Sequence, residues 1–169
     1  MTPSHPLRVL LMGVAGCGKS SVGEGLSARL AVPYQDGDDL HPPSNVAKMR
    51  AGIPLNDEDR WPWLDLVAEA FSTRAPLLLG CSALKRAYRD RIRAGAGGPV
   101  TIFHLSGARE VIATRMAARS GHYMPLALLD SQFAALELPG PDEALDVSID
   151  QPLDAILTTI TSHLQRIAP

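Results

Sequence analysis

Residues 13–20, GVAGCGKS, carry the clearest chemical signature in the sequence. They match the pattern GxxxxGK followed by Ser or Thr, in which a glycine-rich backbone turns its N–H groups toward phosphate oxygens at the start of a helix. Lys19 can reach the β- and γ-phosphates of a nucleotide and is a predicted catalytic residue, while the Ser20 hydroxyl can ligate a bridging magnesium ion. We therefore predict a P-loop that binds ATP and Mg²⁺ through the following residues: Gly13, Ala15, Gly16, Cys17, Gly18, Lys19, Ser20 and Ser21.

The same loop serves kinases, GTPase switches and motor ATPases, so it does not identify the reaction by itself. A GTPase would carry the guanine motif NKxD and the switch motif DxxG, and the sequence contains neither. Two alternatives stay open at this point. One is a kinase for a small molecule, and the other is a protein that binds a nucleotide and signals through its conformation.

An acidic turn, DGDD at residues 36–39, follows the second predicted strand. Its carboxylates should lie beside the P-loop, because open α/β sheets bind ligands at the carboxyl ends of their strands. One carboxylate can hold magnesium and the other can accept the proton of an attacking hydroxyl. We assign Asp36 to the metal and Asp38 to the catalytic base. The two carboxylates are close in sequence, so their assignment could also be the reverse.

The elements that must position these residues follow from apolar patterning. Residues 7–12, LRVLLM, form an apolar run that predicts a buried, central first strand, and Val22, Leu26 and Leu30 mark the buried face of the helix after the P-loop. Four further strands are predicted at residues 33–35, 76–80, 100–105 and 144–149, and five further helices at residues 62–73, 84–92, 108–118, 126–136 and 153–167. Residues 94–98, AGAGG, are expected to form a surface loop. This alternation predicts a three-layer α/β P-loop NTPase fold, with a five-stranded parallel sheet and helices on both faces.

The composition indicates one compact domain that acts on small molecules. The chain has 169 residues, of which 46% are hydrophobic and 20% charged, with a net charge of -2. Such a chain can form its own core over residues 1–169 and lacks a basic surface for nucleic acid. No apolar run reaches the roughly 18 residues that span a bilayer, and no secretory leader is recognisable. We expect a cytoplasmic protein that binds neither nucleic acid nor membranes, with Cys17 and Cys81 reduced.

Four longer motifs carry a resemblance to a known family. They are HPPSNVAKMRAG at residues 41–52, PLNDEDRWPWL at 54–64, CSALKRAYRD at 81–90 and GHYMPLALLDSQFAALELP at 121–139. Together they closely resemble the bacterial thermoresistant gluconokinase family, which is related to shikimate kinase and the nucleoside monophosphate kinases. The resemblance extends over residues 7–165. It implies transfer of phosphate from ATP to D-gluconate, giving 6-phospho-D-gluconate, and it suggests a homodimer.

The resemblance also implies the residues that would bind the acceptor. Gluconate is a linear acid with five hydroxyl groups, and its carboxylate should be held by a cation, best by an arginine fork. Arg60 and Lys85 are the candidates within the matching motifs, and Asp38 and His41 are the candidates for the hydroxyls. A shikimate-type kinase is the nearest alternative, although shikimate would require a different arrangement of basic residues.

A lid and a base-binding segment complete the predicted site. Arg115 and Arg119 lie four residues apart, and Arg119 opens a segment rich in residues that can form a hinge. In related kinases arginines so placed close over ATP, so we assign Arg115 to the adenine and Arg119 to the transferring phosphate as a catalytic residue. The mobile lid would cover residues 119–136. Gln151 and Pro152 resemble the adenine loop of the family.

Overall fold

A computed structural model describes residues 5–118 and 126–168 of the chain. Within these residues the strands are β1 Arg8–Met12, β2 Tyr34–Asp36, β3 Leu77–Gly80, β4 Thr101–Ser106 and β5 Leu145–Ser148. The helices are α1 Lys19–Leu30, α2 Pro43–Arg50, α3 Asp57–Arg74, α4 Arg86–Gly95, α5 Arg109–Ala118, α6 Leu126–Ala135 and α7 Leu153–Ile167, and Gly37–Leu40 forms a 3₁₀ turn. None of the described helices has both the length and the apolar character needed to cross a membrane.

All five strands run parallel in one sheet, in the spatial order β2-β3-β1-β4-β5. β1 lies at the centre, where Leu10 is paired with Leu79 of β3 on one side and with Ile102 of β4 on the other. The chain passes from β3 over β1 to reach β4, so the strand order reverses next to the carboxyl end of β1. The predicted parallel sheet and its central first strand are confirmed.

Alternate residues of β1 separate the core into two apolar clusters. Val9 and Leu11 pack with α1, α5, α6 and α7, whereas Leu10 and Met12 pack with α3 and α4. Successive side chains of a strand point to opposite faces of the sheet, so a strand covered on both faces must be apolar throughout. The predicted helices on both faces are confirmed, and the three-layer α/β fold with them.

The start of α3 differs from the prediction by five residues. The helix begins at Asp57, because Asn56 and Asp59 form a capping box in which each side chain bonds the other's backbone N–H, at 2.8 and 3.0 Å. Pro62 therefore lies inside the helix, where it has no N–H to bond the carbonyl of residue 58. The earlier start places Arg60 in a helix rather than in a loop.

Two other segments also differ from the prediction. The sequence analysis did not predict α2, because its only buried residue is the polar Asn45 and an apolar stripe is missing. The predicted surface loop at residues 94–98 is wrong in part, since α4 continues to Gly95 and Ala96 is fully buried. In both places the buried residue, Asn45 or Ala96, is not part of an apolar pattern, so the sequence did not indicate its burial.

A buried arginine holds the segment before α4 in place. Arg89 donates to the carbonyls of Ala83 and Leu84 at 2.8 and 3.0 Å and to the Glu143 carboxylate at 2.7 Å. The side chains of Arg89 and Glu143 are only 1% and 4% exposed. These bonds fix the backbone immediately before Lys85, one of the residues predicted to bind the acceptor.

Replacing Glu143 should destabilise the protein, because the buried Arg89 would lose its charged partner. Burial alone would raise the pKa of Glu143, but the hydrogen bonds and charges of Arg89 and Arg93 lower it below the usual 4.5. Glu143→Gln should reduce the free energy of unfolding at neutral pH by about 3 to 5 kcal/mol, the usual cost of leaving one partner of a buried pair uncompensated. Chemical denaturation measures the difference, and Glu69→Gln on the exposed face of α3 is the control.

The stability difference between wild type and Glu143→Gln should also depend on pH. A lowered folded pKa means that the carboxylate contributes its stability above pH 4.5 and loses it as the pH falls through the folded value. The difference in unfolding free energy between wild type and Glu143→Gln should therefore shrink below pH 4.5. A difference that stays constant on acidification would contradict the ionised pair.

Candidate active site

The P-loop connects β1 to α1 and leaves the start of the helix open to a ligand. Gly18 caps α1 with a left-handed backbone, φ 99°, and because it has no side chain it makes no capping hydrogen bond to the first N–H groups of the helix. Gly16 also has a positive φ of 80°, and a Cβ there would lie 2.5 Å from Met116 of α5. The left-handed backbone conformation favours glycine at both positions. The start of α1 can thus present N–H groups to an anion, while within the loop the N–H groups of Gly13 and Cys17 bond backbone carbonyls.

Lys19 folds back over its own loop. Its Nζ donates to the carbonyls of Gly13 and Val14 at 2.9 and 3.1 Å. The hydroxyl-bearing residues that follow, Ser20 and Ser21, are exposed at the start of α1. The ammonium group is therefore held against the backbone of the loop, and the two serines are open to solvent.

Sequence analysis missed a contact between the P-loop and the predicted lid. The backbone N–H of Ala15 donates to Oε1 of Gln132 in α6, at 2.7 Å. Gln132 belongs to residues 119–136, of which 119–125, and with them Arg119, lie outside the described residues. The two partners are 117 positions apart, so no local pattern could have indicated this hydrogen bond.

A cavity of about 490 Å³ opens beside the loop. Its volume lies within the range of small-molecule sites. It is lined by the loop, by the end of α5 and by the turn before α7, and the predicted residues among its walls are Gly16, Cys17, Gly18, Ser21, Arg115, Gln151 and Pro152. Arg115 also donates to the carbonyl of Ile149, which holds the side chain at the cavity wall. Seven of the predicted nucleotide-binding residues thus line one cavity, whereas Gly13, Ala15, Lys19 and Ser20 are not among its lining residues.

Removing Arg115 should weaken nucleotide binding. A guanidinium at an aromatic base contributes about 0.5 to 2 kcal/mol, so Arg115→Ala should raise the Kd for ATP by about 2- to 30-fold. Calorimetric titration measures the Kd. Arg166→Ala, which removes an exposed arginine from the far end of α7, is the control. An unchanged Kd in Arg115→Ala would place the base elsewhere.

The acidic turn packs against the end of β3. Asp36 accepts the backbone N–H of Asp38 at 2.9 Å and so caps the 3₁₀ turn. A Cβ on Gly37 would lie 2.5 Å from the carbonyl oxygen of Gly80, so the turn approaches the sheet as closely as backbone allows. The aspartates are thereby held at the same edge of the sheet as the P-loop.

Asp38 stands in the electrostatic field of the P-loop. Burial, followed by the charge of Asp36, raises the pKa of Asp38 above its usual value, and the nearby Lys19 lowers it in part. Since 79% of the Asp38 side chain is exposed, water reduces the effect of burial and of the neighbouring charges on its pKa. Asp38 thus combines an open carboxylate with a pKa shifted toward that of a base.

His41 lies beside Asp38 but is itself enclosed. Its side chain is only 5% exposed, and its ring stacks on that of Trp63 with centroids 4.1 Å apart and planes 17° apart. Nε2 lies 4.0 Å from the Asp38 carboxylate. Burial, followed by the charge of Arg60, lowers the pKa of His41 below the usual 6.5, so the ring is neutral at physiological pH.

Arg60 and Lys85 meet at a carboxylate that sequence analysis did not single out. Their nitrogens lie 3.8 and 3.4 Å from Oδ1 of Asp57, which also accepts the hydroxyl of Tyr88. Both cations stand 5.6 to 5.7 Å from the centre of the Tyr88 ring. The Tyr88 hydrogen bond, with Lys85 and Arg60, lowers the pKa of Asp57. Two cations against one carboxylate leave one positive charge for an incoming anion.

The residues that could hold a metal ion are oxygen donors. Ser20 and Asp36 offer a hydroxyl and a carboxylate, which are the ligand types that Mg²⁺ prefers. Within residues 5–118 and 126–168, no group of three or more His, Cys, Asp or Glu side chains could hold a metal ion. The donor set therefore fits a magnesium ion that takes its other ligands from water and nucleotide phosphates.

A parallel sheet with a glycine-rich loop between its central strand and α1 defines the class of the P-loop NTPases. No protein-family model matches the chain. It is 43% identical over 165 residues to the gluconokinase of Gluconobacter oxydans, covering 95% of this chain and 92% of the relative. It is 42% identical over 172 residues to the thermoresistant gluconokinase of Escherichia coli, with 98% of each chain covered.

The solved structures support the same relationship. The crystal structure of a gluconokinase from Sinorhizobium meliloti matches with a TM-score of 0.88 and 45% identity, over 96% of this chain and 94% of that one. The chain belongs to the gluconokinase family. The resemblance inferred from the four motifs is confirmed.

Proposed function

We propose that the protein is an ATP-dependent gluconokinase, which phosphorylates D-gluconate to 6-phospho-D-gluconate. The observation that carries the proposal is the strand register, in which Gly80 is paired with both Leu11 and Asp36, so that the turn with Asp38 and the P-loop with Lys19 lie at the same edge of the sheet. A proton acceptor and the P-loop lysine then serve one reaction centre. Membership of the gluconokinase family supports gluconate as the acceptor.

The nucleotide side of the reaction uses the P-loop and the 490 Å³ cavity. The N–H groups of the loop would bind the phosphates, Lys19 would leave its carbonyl partners for the γ-phosphate, and Arg115 would hold the adenine. Ser20 and Asp36 would hold Mg²⁺, which when bound neutralises charge on the β- and γ-phosphates. We also propose that Arg119, outside the described residues, contacts the transferring phosphate.

The acceptor side uses Asp38, His41 and the cation pair. Arg60 and Lys85 would hold the gluconate carboxylate with the positive charge that Asp57 leaves uncompensated. The hydroxyl at the other end of gluconate would reach Asp38. The oxygen of that hydroxyl would form the new bond to the γ-phosphorus while the bond from phosphorus to the β–γ bridging oxygen breaks. ADP would leave, and the hydroxyl proton would pass to the Asp38 carboxylate.

The decisive experiment measures ADP release with ATP alone, with D-gluconate and with shikimate. A gluconokinase releases ADP strongly only with gluconate, and phosphorus NMR should show a phosphate ester at the primary hydroxyl. Release that depends on shikimate would favour the nearest alternative. Slow release that no acceptor stimulates would favour a nucleotide-gated switch and overturn the proposal.

Asp38→Asn tests the proposed base. The amide keeps the shape of the side chain but cannot take a proton, so kcat should fall by about 10²- to 10⁴-fold, with a much smaller change in the KM for gluconate. Steady-state kinetics with saturating ATP give both constants. Asp39→Asn removes the same charge from the next, exposed position of the turn and should behave like wild type. Near-normal kcat in Asp38→Asn would exclude this residue as the base.

Arg60→Ala tests how the acid end of gluconate is held. A charge-assisted hydrogen bond contributes about 1.5 to 3 kcal/mol, so kcat/KM for gluconate should fall by about 10- to 150-fold. The preference for gluconate over an uncharged polyol of equal length should narrow by the same factor. Arg74→Ala, at the other end of α3, is the control. If Arg60→Ala discriminates as well as wild type, the carboxylate is held elsewhere and Lys85 is the next residue to test.

A further inference from the structure

Asn45 is the one buried residue of α2, and it is polar. Only 2% of its surface is exposed. Its amide nitrogen donates to the backbone carbonyl of Asp59 at 2.9 Å and lies 3.2 Å from Nδ1 of His41. A buried polar group in a helix without an apolar stripe indicates that the two hydrogen bonds, rather than packing, decide which residue stands there.

The contact with Asp59 determines the direction of the Asn45 amide. A backbone carbonyl oxygen can only accept, so the group that faces it must be the NH₂ of Asn45. The same nitrogen also faces Nδ1 of His41, and its second hydrogen needs an acceptor there. In a neutral imidazole the nitrogen that accepts has no proton, so the proton must be on Nε2.

Nε2 is the nitrogen that faces the proposed reaction centre. It lies 4.0 Å from Oδ1 of Asp38, too far for a direct hydrogen bond. An oxygen placed between them can be about 2.8 Å from both atoms. A hydroxyl in that position would donate to the Asp38 carboxylate and accept from Nε2–H. Its remaining lone pair would be free to attack phosphorus.

We propose that Asn45 is a positioning residue, which fixes His41 in the Nε2–H tautomer so that the ring donates a hydrogen bond to the attacking hydroxyl. The stack on Trp63 fixes the plane of the ring, and Asn45 fixes which nitrogen carries the proton. The hydroxyl part of the proposal rests on the proposed function, whereas the tautomer does not.

The charged groups around His41 agree with a neutral ring. Asp38 approaches from the 3₁₀ turn and Arg60 from α3, and burial together with Arg60 lowers the pKa of the ring. The carboxylate of Asp59 points away to Lys48, with both oxygens 2.8 Å from Nζ. The Nδ1 atom of His41 therefore faces the Asn45 amide, and its Nε2 atom faces the Asp38 carboxylate.

The tautomer can be read directly from the ¹⁵N-labelled full chain, without substrate. Two-bond NMR correlations between the ring nitrogens and the protons bound to the ring carbons distinguish the two tautomers. The signals of His41 are identified as those that are missing in His41→Phe. Wild type should show the Nε2–H form. A wild-type Nδ1–H form or an imidazolium at pH 7.5 would overturn the proposal, whatever reaction the protein catalyses.

Asn45→Asp reverses the polarity of the contact and should place a proton on Nδ1. The Nδ1–H tautomer has no donor toward the hydroxyl, and an imidazolium would pair with Asp38, so either form should lower kcat by about tenfold or more. The KM for ATP should not change. Ser44→Ala, at the preceding exposed position of α2, is the control for both spectrum and kinetics. A changed tautomer with wild-type kcat would overturn the proposal.

His41 variants keep the proposal falsifiable if Asn45→Asp fails to fold. The amide of His41→Gln places an N–H near the position of Nε2, whereas His41→Phe keeps only an aromatic ring on Trp63. kcat with gluconate should be about tenfold higher in the glutamine variant, and equal values or the reverse order would contradict hydrogen-bond donation. If wild type transfers no phosphate to gluconate at all, the proposed function fails while the measured tautomer still decides the role of Asn45.

Discussion

The parallel register of β2, β3 and β1 is the constraint on which the candidate site depends. Gly80 at the end of β3 is paired with Leu11 on one side and with Asp36 on the other. Three strands that end level must send their loops into the same space. The P-loop, the acidic turn and the segment before α4 are therefore neighbours, although up to about seventy positions separate them in the chain. Backbone pairing thus brings the residues of the proposed nucleotide and acceptor sites to one edge of the sheet.

The acceptor side depends on a second layer of interactions between side chains. The capping box at Asn56 starts α3 early enough to set Asp57 and Arg60 on its first turn. Trp63, one turn later, donates its indole N–H to the carbonyl of Gly37 and supports the acidic turn. One helix thereby supplies both the charge proposed to bind the substrate and a support for the proposed base. Its proposed chemistry and its structural role therefore share the same few residues.

Much of the fold was predictable because buried strands and amphipathic helices have periods that a sequence displays. β1, the order of alternating elements and the boundaries of α7 follow from apolar residues alone. α2 was not predictable in this way, since its buried residue is Asn45, and the early start of α3 depends on a cap rather than on an apolar stripe. The periodicity of apolar residues therefore predicts elements with hydrophobic buried faces well, and elements whose buried residues are polar poorly.

Some residues of the candidate site could be predicted from the sequence and others could not. The residues of the P-loop could be found because a local motif contains them all, and the residues of the acceptor side because four longer motifs resemble a family. Asp57, Tyr88 and Gln132 were not found, because each acts through a partner far away in the chain. A hydrogen bond between distant residues leaves no periodic trace, so such partners become visible only in three dimensions.

The hydrogen bond from Ala15 to Gln132 is a weak link between the P-loop and α6. A neutral hydrogen bond contributes about 0.5 to 1.5 kcal/mol, which is one to three times the thermal energy. A link of that strength breaks and reforms rapidly, so it biases the position of α6 without locking it. Thermodynamic reciprocity then applies: a ligand that competes with Gln132 for the loop loosens α6, and whatever displaces α6 exposes the loop to the ligand by the same free energy.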